Sequence, residues 1–196
     1  FWVNEEGIDL ANWPALLAAG KTAGIQEYIE TIQEKNLRNT VFADVTASDT
    51  VATVYDRLLQ KSIAVVACNK VACSSSYTYY HKLKGLATEY NTRFLFETNV
   101  GASLPIIGTL NDLLRSGDSI HSMEAVLSGT LNFVFNNYNG SSSFASVVKQ
   151  AQQEGYTEPD PRLDLSGKDV MRKIMILARE AGHKIEMEDI SNNSFM

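Results

Sequence analysis

A chain of 196 residues, 44% of them hydrophobic, is long enough to bury one large core or two small ones. Its net charge of −6 and pI near 5.1 exclude the basic face that nucleic acid or an anionic membrane surface would require. No apolar run approaches the roughly 20 residues of a membrane span, and no signal peptide opens the chain.

The two cysteines, Cys68 and Cys73, and the scattered histidines His81, His121 and His183 do not form a zinc pattern. They predict free thiols and a reducing, cytoplasmic setting. The start at Phe1 and the end at "ISNNSFM" read as those of a piece of something longer.

In chain order, residues 1–20 read as a strand end, a loop and a short helix near Asn12–Trp13–Pro14, where proline suits the first turn. Ile25, Tyr28, Ile29 and Ile32 recur at helical spacing, so "GIQEYIETIQEKNL" is an amphipathic helix. "NTVFADVT" (39–46) is a buried strand, "SDTVATVYDRLLQKS" a helix and "IAVVACN" (63–69) the next buried strand. "SSSYTYYHKLKGLATEYN" is a helix capped by its serine cluster, and "TRFLFETNV" (92–100) is the third strand.

Apolar strands alternating with helices predict a parallel α/β sheet, with ligands at the carboxyl ends of its strands. Those ends carry "TASD", "CNKVA" and "ETNVGAS". No G-x-G-x-x-G turn occurs. Either the sheet binds no dinucleotide, or its first βα unit lies upstream of Phe1.

Beyond a boundary near 96–105 the character changes. "PIIGTLNDLLRSGD" is a helix, and "SIHSMEAVLSGTLNFVFNNYN" reads as a strand, a Ser–Gly–Thr turn and a further apolar segment. "SFASVVKQAQQEGY" is a helix ending at Gly155, and "GKDVMRKIMILAREAGHK" is a strong amphipathic helix. The fold class expected is α/β: an incomplete Rossmann-like parallel sheet (1–96), then an α+β catalytic and dimerisation domain (97–196).

Three places carry chemistry. In "GYTEPDPRLDLSGKDVMRK" Pro159 and Pro161 stiffen a loop that presents Glu158, Asp160 and Asp164. Asp169 and Lys173 follow at i,i+4 on one helix face, beside Arg172. An ordinary surface ion pair and a helix-capping Asp164 are the plainer readings, while the combination suits an amino-acid substrate with an ammonium and a hydroxyl. Lys70 ends a buried strand, where it either snorkels or faces a polar ligand. Glu97, followed by a tight glycine-containing turn, either holds a hard cation through oxygens or simply joins strand to helix.

"NKVA", "FETNVGASLPII", "LSGTLNFVF" and above all "GYTEPDPRLDLSGKDVMRK" resemble homoserine dehydrogenase, most closely the dehydrogenase half of bifunctional aspartokinase/homoserine dehydrogenase, from about residue 7 onward. The resemblance implies NAD- or NADP-dependent interconversion of L-homoserine and L-aspartate 4-semialdehyde, on the route to threonine, methionine and isoleucine. It implies that Lys173 is the acid/base and Lys70 its partner beside the reacting oxygen and the cofactor. Glu158 and Asp169 would bind substrate, joined by Asp164. Thr46, Gly155 and Glu158 would meet the cofactor.

Glu97, with the backbone of Val100, Ala102 and Leu104, would form a structural sodium site. A homodimer is implied, with an aspartokinase domain in the same parent chain. Ser103, where the family usually has glycine, and Leu163, where it often has an acid, depart from the pattern. The alternative is a catalytically inactive dimerisation and substrate-binding fragment of that enzyme.

Overall fold

The computed structural model describes residues 1–193. Helix α1 (Trp13–Ala18) carries Pro14 in its first turn, and α2 (Ile25–Lys35) ends at Asn36 in the left-handed region. Strand β1 (Val41–Asp44) follows, then α3 (Asp49–Ala52), α4 (Tyr55–Leu59) and β2 (Ala64–Ala67). Next come α5 (Val71–Ser74), α6 (Tyr77–Glu89) and β3 (Phe94–Leu95). Helices α7 (Ile106–Arg115), α8 (Gly129–Asn137), α9 (Phe144–Gln153), α10 (Pro161–Leu165) and α11 (Lys168–Glu180) complete the order.

The three strands form a parallel sheet in the order β1-β2-β3, with Val41 opposite Ala64 and Val65 opposite Phe94. Phe42, Val65 and Phe94 point into the core. Ile29 of α2, Tyr55 and Leu58 of α4, and Leu83 and Leu86 of α6 meet them there. A file of rings, Tyr28–Phe42–Tyr55–Phe94–Phe96, crosses that face at centroid spacings between 4.8 and 6.4 Å.

The strands were expected to be buried, and one face of the sheet is not. Val41 is 58% exposed, Val66 41% and Leu95 46%. Sequential strand order is the cause. Successive right-handed crossovers between neighbouring strands put their helices on the same side of the sheet.

Other expectations need correction. The single helix expected over 48–62 is two, because the β-branched run Thr50, Val51, Thr53, Val54 lets the chain turn at Thr53–Val54. The third strand is only Phe94–Leu95, after which Glu97–Asn99 form a 3₁₀ turn. No strand forms at 119–127, because among the described residues nothing pairs with it.

The Ser–Gly–Thr "turn" is a helix start: Ser128 Oγ accepts from Leu131 N at 3.1 Å, and α8 buries Val134 against Val147 and Ala151 of α9. The stiff loop after Pro159 is partly helical, since Asp160 caps α10 and Pro161 occupies its first turn.

Helices α7 and α11 share the main core with the sheet through Ile107, Leu110, Ile176 and Leu177. Buried Glu180 accepts from the Tyr80 hydroxyl, from Lys84 Nζ at 2.9 and 3.0 Å, and from Asn111 Nδ2 at 2.9 Å. Its neighbour Arg179 donates to the Cys73 carbonyl at 2.8 Å and to Glu186 at 2.8 Å. These two residues anchor α11 against α5, α6 and α7, and so fix where its first turn lies relative to the strand ends.

Candidate active site

The carboxyl ends of β1 and β2 open into a cleft of about 910 Å³. Its sheet side is formed by Val45–Thr46–Ala47 and by Cys68 to Val71. The opposite wall comes from the first turn of α8 (Ser128–Thr130), the segment from Gly155 to Glu158, α10 and the start of α11. Ligands of open α/β sheets bind at such strand ends.

On α11, Asp169 and Lys173 are one turn apart and form an ion pair, Lys173 Nζ to Asp169 Oδ2, at 2.7 Å. Lys173 Nζ also donates to the Leu127 carbonyl at 2.7 Å, and its side chain is only 19% exposed. From the sheet side, Lys70 Nζ lies 3.5 Å from Asp169 Oδ1. One carboxylate therefore bridges two ammonium groups from different parts of the fold. Burial pushes the Asp169 carboxyl upward, but the hydrogen bond from Lys173 and the charges of Lys70 and Lys173 outweigh it, holding the group below its ordinary value.

The other predicted residues divide by how they are used. Glu158 is exposed on the cleft wall, and among the described residues no protein donor meets its carboxylate. Asp164 lines the same cleft with both oxygens engaged. Oδ2 accepts from Glu158 N at 3.0 Å, and Oδ1 lies 2.8 Å from Thr130 Oγ1. Asp164 thus holds the Glu158 segment and α8 together and is not a helix cap. Asp160 is spent on Arg162, at 2.7 Å, as well as on capping α10.

Gly155 has φ +79, a left-handed conformation that closes α9 and turns the chain into the cleft wall. Thr46 lines the sheet side, its N–H donating to Asp44 Oδ1 at 2.8 Å. Small, exposed residues at these strand ends suit close approach of a dinucleotide, so the residues present fit the nicotinamide cofactor.

Glu97, Val100, Ala102 and Leu104 lie away from this cleft, at the start of α7. The two Glu97 oxygens each accept a backbone N–H, from Ile107 and from Gly108, both at 2.7 Å. The Leu104 carbonyl accepts from Ile106 N at 2.9 Å. This carboxylate is satisfied by a helix N-terminus, and the group fits that cap better than it fits a cation.

Sequence reasoning missed Thr130 and Tyr156, which join the cleft through α8 and the Glu158 segment. It also missed Asp44 and Asn69 beneath the strand ends. The Ser-x-x-Leu start of α8 was the available signal for Thr130, since a serine before an apolar helical run is a cap.

Two family models match the chain: "Homoserine dehydrogenase, NAD binding domain" over residues 3–97 and "Homoserine dehydrogenase" over 105–196. A chloroplastic bifunctional aspartokinase/homoserine dehydrogenase 2 of Zea mays is 42% identical over 99% of this chain and 21% of its own length. A homoserine dehydrogenase of Schizosaccharomyces pombe is 39% identical over 91% of this chain and 49% of its own.

Among solved structures, a Candida auris protein described as of unknown function has a TM-score of 0.84 at 32% identity, over 96% of this chain and 54% of that one. A hyperthermophilic archaeal homoserine dehydrogenase in complex with NADPH has a TM-score of 0.71 at 30% identity, over 83% of this chain and 49% of that one. The chain spans about a fifth of the length of the bifunctional relatives it matches. It belongs to the homoserine dehydrogenase family.

Proposed function

We propose that this chain is the dehydrogenase portion of an aspartokinase/homoserine dehydrogenase, interconverting L-homoserine and L-aspartate 4-semialdehyde with NAD or NADP. The observation that supports it is the Asp169 carboxylate set between Lys173 and Lys70, facing a cleft at the strand ends, with the unpaired Glu158 carboxylate on its wall. Residues 1–96 take the cofactor side and 97–196 the substrate side. The pathway to threonine, methionine and isoleucine follows from the reaction.

The bound cofactor supplies or accepts the hydride. The chain has one proton to manage, on the oxygen of the carbon that exchanges hydride. Lys173 delivers it in aldehyde reduction and removes it in alcohol oxidation. Lys70, from the sheet side, stabilises charge growing on that oxygen. Asp169 keeps both amines converged on one point, at the cost of holding part of their charge. Glu158 takes the substrate ammonium, and Asp164 orients Glu158 through its backbone N–H. Thr46 and Gly155 border the cofactor. No step runs through sodium, since the Glu97 oxygens serve α7.

The apolar stretch 123–135 carries Val126 at 78% exposure and, among the described residues, pairs with no strand. We assign it to pairing with a second copy in a homodimer. A reducing, cytoplasmic setting suits the free thiols of Cys68 and Cys73. Among the described residues no helix is long and apolar enough to cross a membrane.

The open sheet face at Val41, Val66 and Leu95 favours one second reading, a fragment that binds substrate but holds cofactor poorly. Calorimetric titration separates the two. Binding of L-homoserine that depends on Glu158 and strengthens with NADPH supports the enzyme. Homoserine binding with no NADPH binding supports the fragment, and no binding of either overturns both.

A further inference from the structure

We infer that Asn69, working through Asp44, is a positioning residue for Lys70. The pair clasps the two strand-end loops together and so fixes the Lys70 amine within reach of Asp169. The inference rests on the reading above that Lys70 belongs to the active site.

Both side chains are almost fully buried, Asp44 at 1% exposure and Asn69 at 2%. Asn69 uses all of its short amide. Nδ2 donates to Asp44 Oδ2 at 3.0 Å and to the Ser48 carbonyl at 2.9 Å, strapping the loop after β1. Oδ1 accepts from Val71 N at 3.0 Å, fixing the first residue of α5. Lys70 sits between these two tethered residues, with its own carbonyl held by Ser74 N at 2.9 Å. Asp44 completes the clasp. Oδ1 accepts from Thr46 N at 2.8 Å, Oδ2 accepts from the Tyr55 hydroxyl at 2.5 Å, and its carbonyl accepts from Cys68 N at 2.9 Å.

Asp44 is a buried carboxylate that no cation meets among the described residues. Burial works against its charge, and the bonds from Tyr55, Thr46 and Asn69 together bring the carboxyl below its ordinary value. For stability alone, replacing both hydrogen-bonded partners by an apolar pair of the same shape can be nearly neutral. A fully satisfied polar network does something apolar packing cannot: it fixes a single arrangement of the backbone around it. Here the backbone so fixed is that of Thr46 and of Lys70, one in each of the two segments by which the sheet lines the cleft.

The test reads geometry without turnover. Lysine amines are ¹³C-methylated, the Lys70 signal is assigned with Lys70→Arg, and its displacement on Asp169→Asn is recorded in each background. In the otherwise unchanged chain the signal moves. In Asn69→Ala the displacement is expected to be lost, and in Asn69→Ser, which keeps a short donor toward Asp44 and folds more readily, to be reduced. In Tyr55→Phe, which removes the Asp44 partner on the core side and touches neither loop, it is expected to persist. An undiminished displacement in the Asn69 variants, or an equal loss in Tyr55→Phe, overturns the inference. The readout needs neither substrate nor cofactor, so its failure is separable from absent homoserine turnover, which counts against the proposed reaction instead.

Discussion

The Lys70 amine lies 3.5 Å from Asp169 Oδ1, a contact that joins the end of β2 to the first turn of α11. Among the described residues it is the one ion pair by which the sheet side of the cleft meets its opposite wall. Its partner contact, Lys173 to Asp169 at 2.7 Å, lies within a single helix and forms whenever α11 does. The cross-cleft pair forms only when both halves are docked.

Asp169→Asn keeps the shape of the side chain and removes the charge that converges the two lysines. We expect kcat/KM for homoserine oxidation to fall by about 10²-fold, the scale on which a displacement of about 1 Å acts. Thermal stability at neutral pH should fall only slightly, by less than about 1 kcal/mol of unfolding free energy, because the group is half exposed and its pairs are screened. Steady-state kinetics beside a melting curve check both statements.

Acid should weaken the fold through two carboxylates. Asp169 and Asp44 are both held below the ordinary carboxyl value in the folded chain. A group with a depressed folded pKa contributes stability that is present above its unfolded pKa, about 3.9 for aspartate, and is lost as pH falls through the lower folded value. Urea midpoints should therefore hold steady near neutrality and decline below about pH 4. In Asp169→Asn that decline should be shallower, and an unchanged acid slope would show that Asp169 has no such role.

Glu97 is expected to act as the cap of α7. Glu97→Gln keeps one weaker hydrogen bond and turns an NH2 donor toward the other backbone N–H, and should cost about 1–2 kcal/mol of unfolding free energy. Gly108→Ala should also destabilise, since an added Cβ would stand 3.1 Å from Glu97 Oε2. Replacing sodium by choline at constant ionic strength should leave the melting temperature unchanged. A fall on sodium removal would assign the site to the ion.

Glu180 is the buried joint between α6, α7 and α11, with its side chain 1% exposed. Glu180→Ala leaves the Tyr80 hydroxyl and the Asn111 amide short of an acceptor and should cost about 3 kcal/mol. Lys84, 39% exposed, can turn to water and limits the loss. Chemical denaturation of the variant decides, and a change under 1 kcal/mol would contradict the joint, being about the worth of an exposed pair.

Local pattern made much of this fold legible. The 3.6-residue spacing of Ile25, Ile29 and Ile32 placed α2, and the apolar runs placed β1 and β2 in a parallel sheet. The i,i+4 pair Asp169–Lys173 was visible as an exact helical relationship, because it needs only one helix. Burial on one sheet face was not legible, since it depends on the side to which two crossovers turn. Nor was the fate of Ser128, because serine followed by glycine serves a turn or a cap equally well. Asp44 and Asn69 went unnoticed for a related reason. Their partnership joins two separate loops, and nothing within either loop announces it.

Lys173, on the proposed reading, moves the proton when hydride is exchanged with homoserine. The most direct measurement is absorbance at the nicotinamide band as the chain is mixed with L-homoserine and NADP or NAD, beside Lys173→Ala. Turnover in the unchanged chain that falls by about 10²- to 10⁴-fold in the variant is the predicted result. Equal turnover in the two would contradict it.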